Sequence, residues 1–521
     1  MNLITSSERK FIEPIAQLTY INPFLPARVE LEKRILGRDY RPSVGGAWSL
    51  KTDNSVSSNI PNLQQRIESL ADSLRTRLAD GVRGTDRDHE LYDDLVIHLL
   101  FLRADALWRE VSDVQSSAPT VWKSFRQDFR HYLQCGEITF PSASNPSHLF
   151  AGIFQFHRAF QQIYRNVIGR SAASIALRAA IWHSIFTHDV RRYRRSLYDH
   201  MSHWATLIVG PSGTGKELVA QAIGRSQYIP FDSRQQRFAV DSATCFYPLH
   251  LAALPTALVE SELFGHAQGA FTGADRERVG WLEVAGRFGS VFLDEIGEIE
   301  SAVQVKLLRV LQTRQFSRIG EPTPRRFDGK MIAATNRDLL AEIERGSFRQ
   351  DLYFRLCSDV IRTPTLREQL DNSPGELESS VRFIAAQLAA DEVETVTADV
   401  MIWLGQHMPS GYAWPGNFRE LEQCVRNIVV RNAYEFTAPR SLAETSPLAG
   451  TESAMEMLSL TSDQLLRRYC TYAYWKTGSY EQAAEQLKLD RRTVRAKIDA
   501  DWLAQWSKSF DNKRSFRRNG L

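Results

Sequence analysis

The segment Gly210-Pro211-Ser212-Gly213-Thr214-Gly215-Lys216 follows an apolar run, Thr206-Leu207-Ile208-Val209, and precedes a helical run from Glu217 to Ile223. A glycine-rich loop in that context lets backbone N–H groups close around phosphates. The helix N-terminus adds its positive end and Lys216 a point charge. Such a loop needs a strand behind it and a helix ahead of it, so it constrains the whole middle of the chain. Between about residues 169 and 434, two further strand-like runs, Ser290-Val291-Phe292-Leu293 and Met331-Ile332-Ala333-Ala334, alternate with helical patterns. That alternation predicts an α/β fold, a parallel sheet with helices on its faces.

The second run ends in Asp294-Glu295, which places two carboxylates at the carboxyl edge of the sheet, where ligands bind. Asp294 is the candidate magnesium ligand, and Glu295 is the residue to polarise an attacking water. Together with the loop they predict ATP hydrolysis assisted by Mg2+. Glu217 occupies the place where a Ser or Thr usually holds the metal, so magnesium must rely on Asp294, Thr214 or water. The third run continues to Thr335-Asn336, a polar tip able to sense a terminal phosphate. Arg349 and Arg355 are six residues apart, so they do not share one helical face. Either is a surface salt-bridge residue or a cation offered to a neighbouring subunit's phosphate.

Between the loop and the acidic strand lies Gly269-Ala270-Phe271-Thr272-Gly273-Ala274. A nucleotide site has no use for it. Small-residue pairs around an aromatic and a hydroxyl suit a loop tip that moves against another protein.

The rest of the chain bounds the reading. A length of 521 residues predicts about three domains. The net charge of +3 excludes a global polyanion binder, so nucleic-acid contact must come from a local patch. The five cysteines have no paired spacing, which argues against a disulfide framework or zinc site and for a reducing compartment. With no membrane-length apolar run and no signal segment, a cytoplasmic protein is expected. Residues up to about 165 read as mostly helical, from the spacing of Ile67, Leu70, Leu74 and Leu78 and of Leu95, Leu99, Leu102 and Leu107. Breaks fall at 42–46 and 141–146. No catalytic motif occurs there, so this part is expected to be a regulatory or docking domain. The basic cluster Arg191-Arg192-Tyr193-Arg194-Arg195 is expected to be a solvated helix face, with a subunit or DNA contact as the alternative.

Several pieces, in order, resemble the bacterial enhancer-binding proteins, the AAA+ activators of sigma-54 RNA polymerase. They are the loop from 210 to 217, Glu260-Ser261-Glu262-Leu263-Phe264-Gly265-His266, the hexapeptide from 269 to 274, Phe292-Leu293-Asp294-Glu295-Ile296-Gly297-Glu298, the stretch from 348 to 356, and Trp414-Pro415-Gly416-Asn417-Phe418-Arg419-Glu420-Leu421. The resemblance covers about 169 to 430. It implies an AAA+ P-loop ATPase core with a helical lid from about 364, assembled as a homo-oligomeric ring, usually a hexamer. Its 269–274 loops are expected to engage sigma-54 in the RNA polymerase holoenzyme. It also implies that Glu217 is normal, that Asn336 is the first sensor, that Arg349 and Arg355 are trans-acting fingers, and that Arg419 is the lid sensor. Two departures stand out. Extra residues occur around 228–244, and His250 replaces the family's asparagine ahead of the Ala-Ala-Leu turn, the residue thought to restrain the catalytic glutamate.

The end of the chain resembles a Fis-type helix-turn-helix for double-stranded DNA. Tyr480 to Leu487 makes one helix, Lys488-Leu489-Asp490 turns, and Asp490 caps the next helix. Val494 and Ile498 are expected inward, leaving Arg491, Arg492, Thr493, Arg495 and Lys497 as the DNA-binding set. The expected domains are 1–165, 166–435, a linker at 436–458, the DNA-binding part at 459–505 and a basic tail at 506–521. Two other readings remain at this level: a DNA-binding regulator of this ancestry acting without sigma-54, and a general AAA+ unfoldase. The complete hexapeptide argues against the first, and the helix-turn-helix against the second.

Overall fold

The computed structural model describes residues 2–42, 59–436 except 112, 136, 137, 372 and 374, and 461–503. The expected chain breaks at 43–46, most of the linker, and the basic tail lie outside the described residues. The chain forms two units, Met1–Tyr434 and Glu435–Leu521.

The centre of the first unit is a five-stranded parallel sheet. Its strands are β1 (Thr206–Val209), β2 (Phe246–His250), β3 (Ser290–Asp294), β4 (Lys330–Thr335) and β5 (Asp359–Arg362). Their order across the sheet is β5-β1-β4-β3-β2. The expected strands are present, and β2 and β5 are two the sequence pattern did not signal. Strands β3 and β4 are almost wholly buried, as an apolar run between two helical layers requires. One face packs against the helix Lys216–Gly224 through Val219, Ala222 and Ile223; the other packs under Leu282, Leu307 and Leu352. After β5 the chain is helical, beginning at Leu366 and ending with Asn417–Arg431, as expected for the lid.

The described residues up to 166 are mostly helical, including Ser6–Tyr20, Asn59–Ala79, Asp86–Arg109, Val114–Leu133 and Pro146–Asn166. The apolar spacings at 67–78 and 95–107 lie in two of these helices. Their starts have local causes. Thr5 and Thr85 each close a capping box with Glu8 and Asp88, and Asn145 caps the helix that begins at Pro146.

No compact-unit boundary falls at 165. Instead the extra residues flagged near 228–244 form a two-stranded hairpin, Phe231–Asp232 with Arg237–Phe238. Its two phenylalanines are buried in the core of the N-terminal helices. The Phe231 ring lies 5.0 Å from Trp122 and 4.7 Å from Phe150, and the Phe238 ring 4.3 Å from Phe154. Gln115 secures the hairpin, accepting from Phe238 N at 3.2 Å and donating to Val240 O at 3.1 Å. The insertion is a plug that ties the sheet-bearing core to the helical region.

The basic cluster is a second tie rather than a solvated face. Arg191 pairs with Asp94 and stacks over Tyr20, Arg194 donates to Ser142 at 2.9 Å, and the buried Tyr193 donates to Gln155. Arg192 and Arg195 remain exposed.

In the second unit, helices Ser462–Thr477, Tyr480–Leu487 and Arg491–Lys497 pack around Cys470, Ala483, Ala484 and Val494. Among the described residues no helix is long and apolar enough to cross a membrane.

Truncating a fully buried aromatic costs about 3–5 kcal/mol. Phe238→Ala is therefore expected to destabilise the first unit by about that amount, while the equivalent change at exposed Phe354 costs less than about 1 kcal/mol. Urea unfolding followed by tryptophan fluorescence checks the difference.

Candidate functional site

At the carboxyl edge of the sheet the loop after β1 faces the end of β3. Gly213 and Gly215 hold φ of 78° and 85°, a backbone that disfavours any side chain. A Cβ on Gly213 would also collide with the carbonyl of Gly416 in the lid. Among the described residues the N–H groups of Gly213, Thr214 and Gly215 donate to no protein acceptor. A ring of unpaired donors at a helix N-terminus is an anion cradle, which fits a nucleotide's phosphates. Lys216 Nζ lies inside it, donating to Gly210 O at 3.0 Å and standing 3.8 Å from Glu295 Oε1. Burial lowers its pKa, while the charges of Glu295 and Asp294 oppose that shift.

The cleft around the cradle measures about 440 Å³. Ser212 to Glu217, Asp294, Glu295 and Arg419 form its polar end, so most of the residues chosen from sequence for the nucleotide meet there. Its other end is apolar, lined by Val167, Ile168, Leu177, Phe383 and Ile384. That end suits a flat heterocycle, and sequence reasoning missed it because these side chains read as ordinary core residues. Asn417 was also missed. Its Oδ1 accepts from Leu366 N at 2.9 Å and its Nδ2 donates to Ser212 O at 2.9 Å, while Arg419 donates to Ser212 Oγ at 2.9 Å. The lid is therefore bonded directly to the phosphate loop.

Glu295 has a left-handed backbone, φ 56°, unusual for a residue with a long side chain. That turn brings its carboxylate to the N–H of Asn336, 3.1 Å away, linking the ends of β3 and β4. Thr214 does not face Asp294; its hydroxyl is committed to Pro211 O and to Thr363 at 2.6 Å. Among the described residues no cluster of three or more His, Cys, Asp or Glu is arranged for a metal. A magnesium ion at this edge would depend on Asp294 together with nucleotide phosphates, the usual arrangement for that ion.

His250 pairs across the sheet with Asp294. Its Nδ1 lies 3.0 Å from Asp294 Oδ2, whereas Glu295 is engaged by Asn336 and Lys216. At the position of the family's asparagine, His250 therefore contacts the neighbouring aspartate, because strand register aims the two side chains together. Arg349 and Arg355 do not enter the cleft. Arg349 stands just ahead of the helix Gln350–Leu356 and pairs with Asp351, and Arg355 is exposed.

The hexapeptide is the tip of an excursion whose base pairs Gly265–His266 with Arg278–Val279. Within it Gly269 N donates to Ala274 O at 2.9 Å and Ala274 N to Phe271 O at 3.0 Å. Phe271 is 40% exposed, packing one edge on His266, and Thr272 is exposed. Ala274 is buried, so the accessible tip is narrower than six residues.

In the second unit Asp490 caps the helix Arg491–Lys497 through Arg492 N at 2.7 Å. Val494 is buried, and Ile498 follows the helix end, partly buried against the same core. Arg491 pairs with Glu481 and Lys497 with Asp463, so of the five DNA candidates these two are tied within the unit. Arg492 and Arg495 are exposed.

Because His250 holds one oxygen of Asp294, His250→Ala is expected to shift the Mg2+ concentration needed for nucleotide binding by several-fold. His250→Asn, which keeps a hydrogen-bond donor, should stay near the parent. Magnesium titration with a fluorescent ATP analogue distinguishes the two variants.

Residues 187–362 match the model of the sigma-54 interaction domain. The chain is 40% identical over 304 residues to the transcriptional regulatory protein ZraR of Escherichia coli K12, covering 57% of this chain and 63% of that protein. It is 45% identical over 224 residues to the Nif-specific regulatory protein of Azotobacter vinelandii, covering 43% of this chain and 39% of that one. The crystal structure of NtrX from Brucella abortus in complex with ADP aligns with a TM-score of 0.40 at 24% identity, over 72% of this chain and 79% of that chain. The chain spans less than two thirds of the length of these curated relatives. The phosphate loop, the acidic strand end and the hexapeptide all lie inside the matched region, and residues 187–362 of this chain form a sigma-54 interaction domain.

Proposed function

We propose that the protein is a sigma-54-dependent transcriptional activator that binds DNA and uses ATP hydrolysis, with Mg2+, to remodel the closed promoter complex. The observation that carries this reading is the hexapeptide: an exposed Phe271 and Thr272 on a separate excursion, standing apart from the nucleotide cleft yet joined to its sheet. Lys216 and the loop N–H groups bind the phosphates, Asp294 holds the metal, and Glu295 orients the attacking water. Asn336 reports the terminal phosphate through the Glu295 contact. Arg419 and Asn417 carry that state into the lid.

Arg349 and Arg355 point away from their own cleft, which supports their delivery to a neighbouring protomer in a homo-oligomeric ring. Exposed apolar side chains on the same segment, Phe354 at 65% and Val360 at 51%, support a subunit interface there. The exposed arginines of the last helix support major-groove contact, with Arg492 and Arg495 the readers and Arg491 and Lys497 released from their surface pairs at little cost.

Promoter opening by sigma-54 RNA polymerase with this protein and ATP tests the proposal. Phe271→Ala or Thr272→Ala is expected to leave ATP hydrolysis within about twofold of the parent and to reduce opening at least about tenfold, as for a contact made only in the working complex. Lys216→Ala or Glu295→Ala should remove hydrolysis itself. Normal opening by the loop variants overturns the assignment of the hexapeptide.

Loss of one good base contact costs about 1–3 kcal/mol. Arg492→Ala is expected to weaken binding to the specific DNA site by that amount with no change in basal ATPase rate. Footprinting at matched salt measures it, and unchanged affinity places the DNA contact elsewhere.

A further inference from the structure

Away from the nucleotide cleft, the N-terminal helices enclose a second cavity of about 120 Å³. Its wall is built from Ile97, Phe101, Leu149, Ile153, Phe156 and Trp182, an apolar and largely aromatic surface. This size class accommodates a six-membered carbon ring. At Gly152, which also lines it, an added Cβ meets no atom within 4 Å, so the space is open on the helix side as well.

Among the described residues Arg109 Nε and Trp182 Nε1 are buried donors without a partner, and one acceptor in the wall is unaccounted for by the protein. Thr19 Oγ1 donates to Ile15 O at 2.9 Å and lies 3.2 Å from His98 Nδ1. With its own proton spent on Ile15, the Thr19 oxygen accepts from His98, which puts the imidazole proton on Nδ1. Nε2 is then a bare acceptor with no partner among the described residues, on a side chain that is 7% exposed and lines the cavity. Burial and the charge of Arg28 push the His98 pKa down to about 4, so the ring is neutral near pH 7. Asp105 is held by Arg109 and by His157 at 2.7 Å, so a cationic guest would lose its hydration beside an acid that is already bonded. Arg194 donates to Ser142 and stacks over Tyr20, and an anionic guest would have to draw it from both.

We propose that this cavity is a binding site for a small uncharged molecule with a ring-sized apolar body and one O–H or N–H group, which donates to His98 Nε2. The site is mechanically close to the nucleotide. The helix Pro146–Asn166 supplies Gly152, Ile153 and Phe156 to the cavity, and its last residue, Asn166, lines the nucleotide cleft. Between them Gln155 donates to Ser226 O at 2.9 Å and Arg158 to Gln227 O, both just beyond the helix that carries Lys216. A guest that shifts this helix shifts the backing of the phosphate loop. That second part rests on the ATPase reading above, whereas binding itself does not.

The test uses the full chain and four probes: cyclohexanol, methylcyclohexane, cyclohexanecarboxylate and cyclohexylamine, with affinity read by saturation-transfer NMR and calorimetry. Cyclohexanol is expected to bind at least about tenfold more tightly than either charged probe. Gly152→Leu, which fills the open space, should weaken cyclohexanol by at least about tenfold, and His98→Phe, which keeps the ring but removes the acceptor, should erase its advantage over methylcyclohexane. Thermal unfolding establishes that each variant is folded, and His98→Phe carries the test if Gly152→Leu is not. No binding of cyclohexanol up to about 10 mM, or binding that both variants leave unchanged, overturns the proposal. An ATPase rate that responds to cyclohexanol in the parent and not in Gly152→Leu supports the coupling. Binding with an unresponsive ATPase removes the coupling and keeps the site, and binding with no ATPase at all removes the nucleotide reading alone.

Discussion

The hydrogen-bonded register of β1 is the constraint on which the rest of this molecule depends. β1 lies between β4 and β5, with Val209 opposite Thr335 and Arg362. Because the strands run parallel, every one of them ends on the same side, and the chemistry carried by their last residues converges without any long-range search. A slip of one residue would turn each side chain to the opposite face. The phosphate loop, the acidic pair and Asn336 are in this sense one object, held by backbone bonds rather than by side-chain packing. Parallel pairing also explains why His250 meets Asp294. The residue's role follows from its place on β2, and a substitution there keeps its address even when its chemistry changes.

A second level of organisation is laid over that sheet. The hairpin carrying Phe231 and Phe238 emerges shortly after the helix that begins at Lys216 and ends inside the helical N-terminal core. The arginines at 191 and 194 reach toward the same helices from the other side of β1 in the chain. Long-range ties before and after the phosphate loop make the N-terminal helices part of the scaffold that holds that loop. A change in their packing reaches the nucleotide edge through rigid elements and hydrogen-bonded carbonyls rather than through a flexible connection.

Much of the site was legible in the sequence because its parts are local. The loop from 210 to 216, the Asp294-Glu295 strand end and the capping of the last helix by Asp490 each depend on residues a few positions apart, and each is found as read. What was missed depends on distant partners. Strands β2 and β5 contain Pro248 and exposed positions, so their composition does not announce a strand; pairing with β3 and β1 makes them one. Asn417 lay within a motif already noticed, but its value lies in two hydrogen bonds to segments 51 and 205 residues away. The insertion at 228–244 was visible as extra length. Only the two phenylalanines at alternate ends of a short hairpin hinted that it had a buried destination. The basic cluster misled because four arginines in five residues read as solvent-facing, when the acid that receives Arg191, Asp94, lies 97 positions earlier.

The plug also changes what a fragment of this protein is. Cutting the chain near residue 165, where its sequence character changes, would leave the sheet-bearing half with a hairpin whose two large aromatic rings are stripped of the tryptophan and phenylalanine cage that covers them. Such a surface is adhesive, and the isolated half would be drawn into self-association unrelated to any functional ring. The severed helical half would in turn have a hole at its centre. Neither piece is a module that can be lifted out, and a chimera that exchanges N-terminal regions with a relative must exchange the hairpin as well.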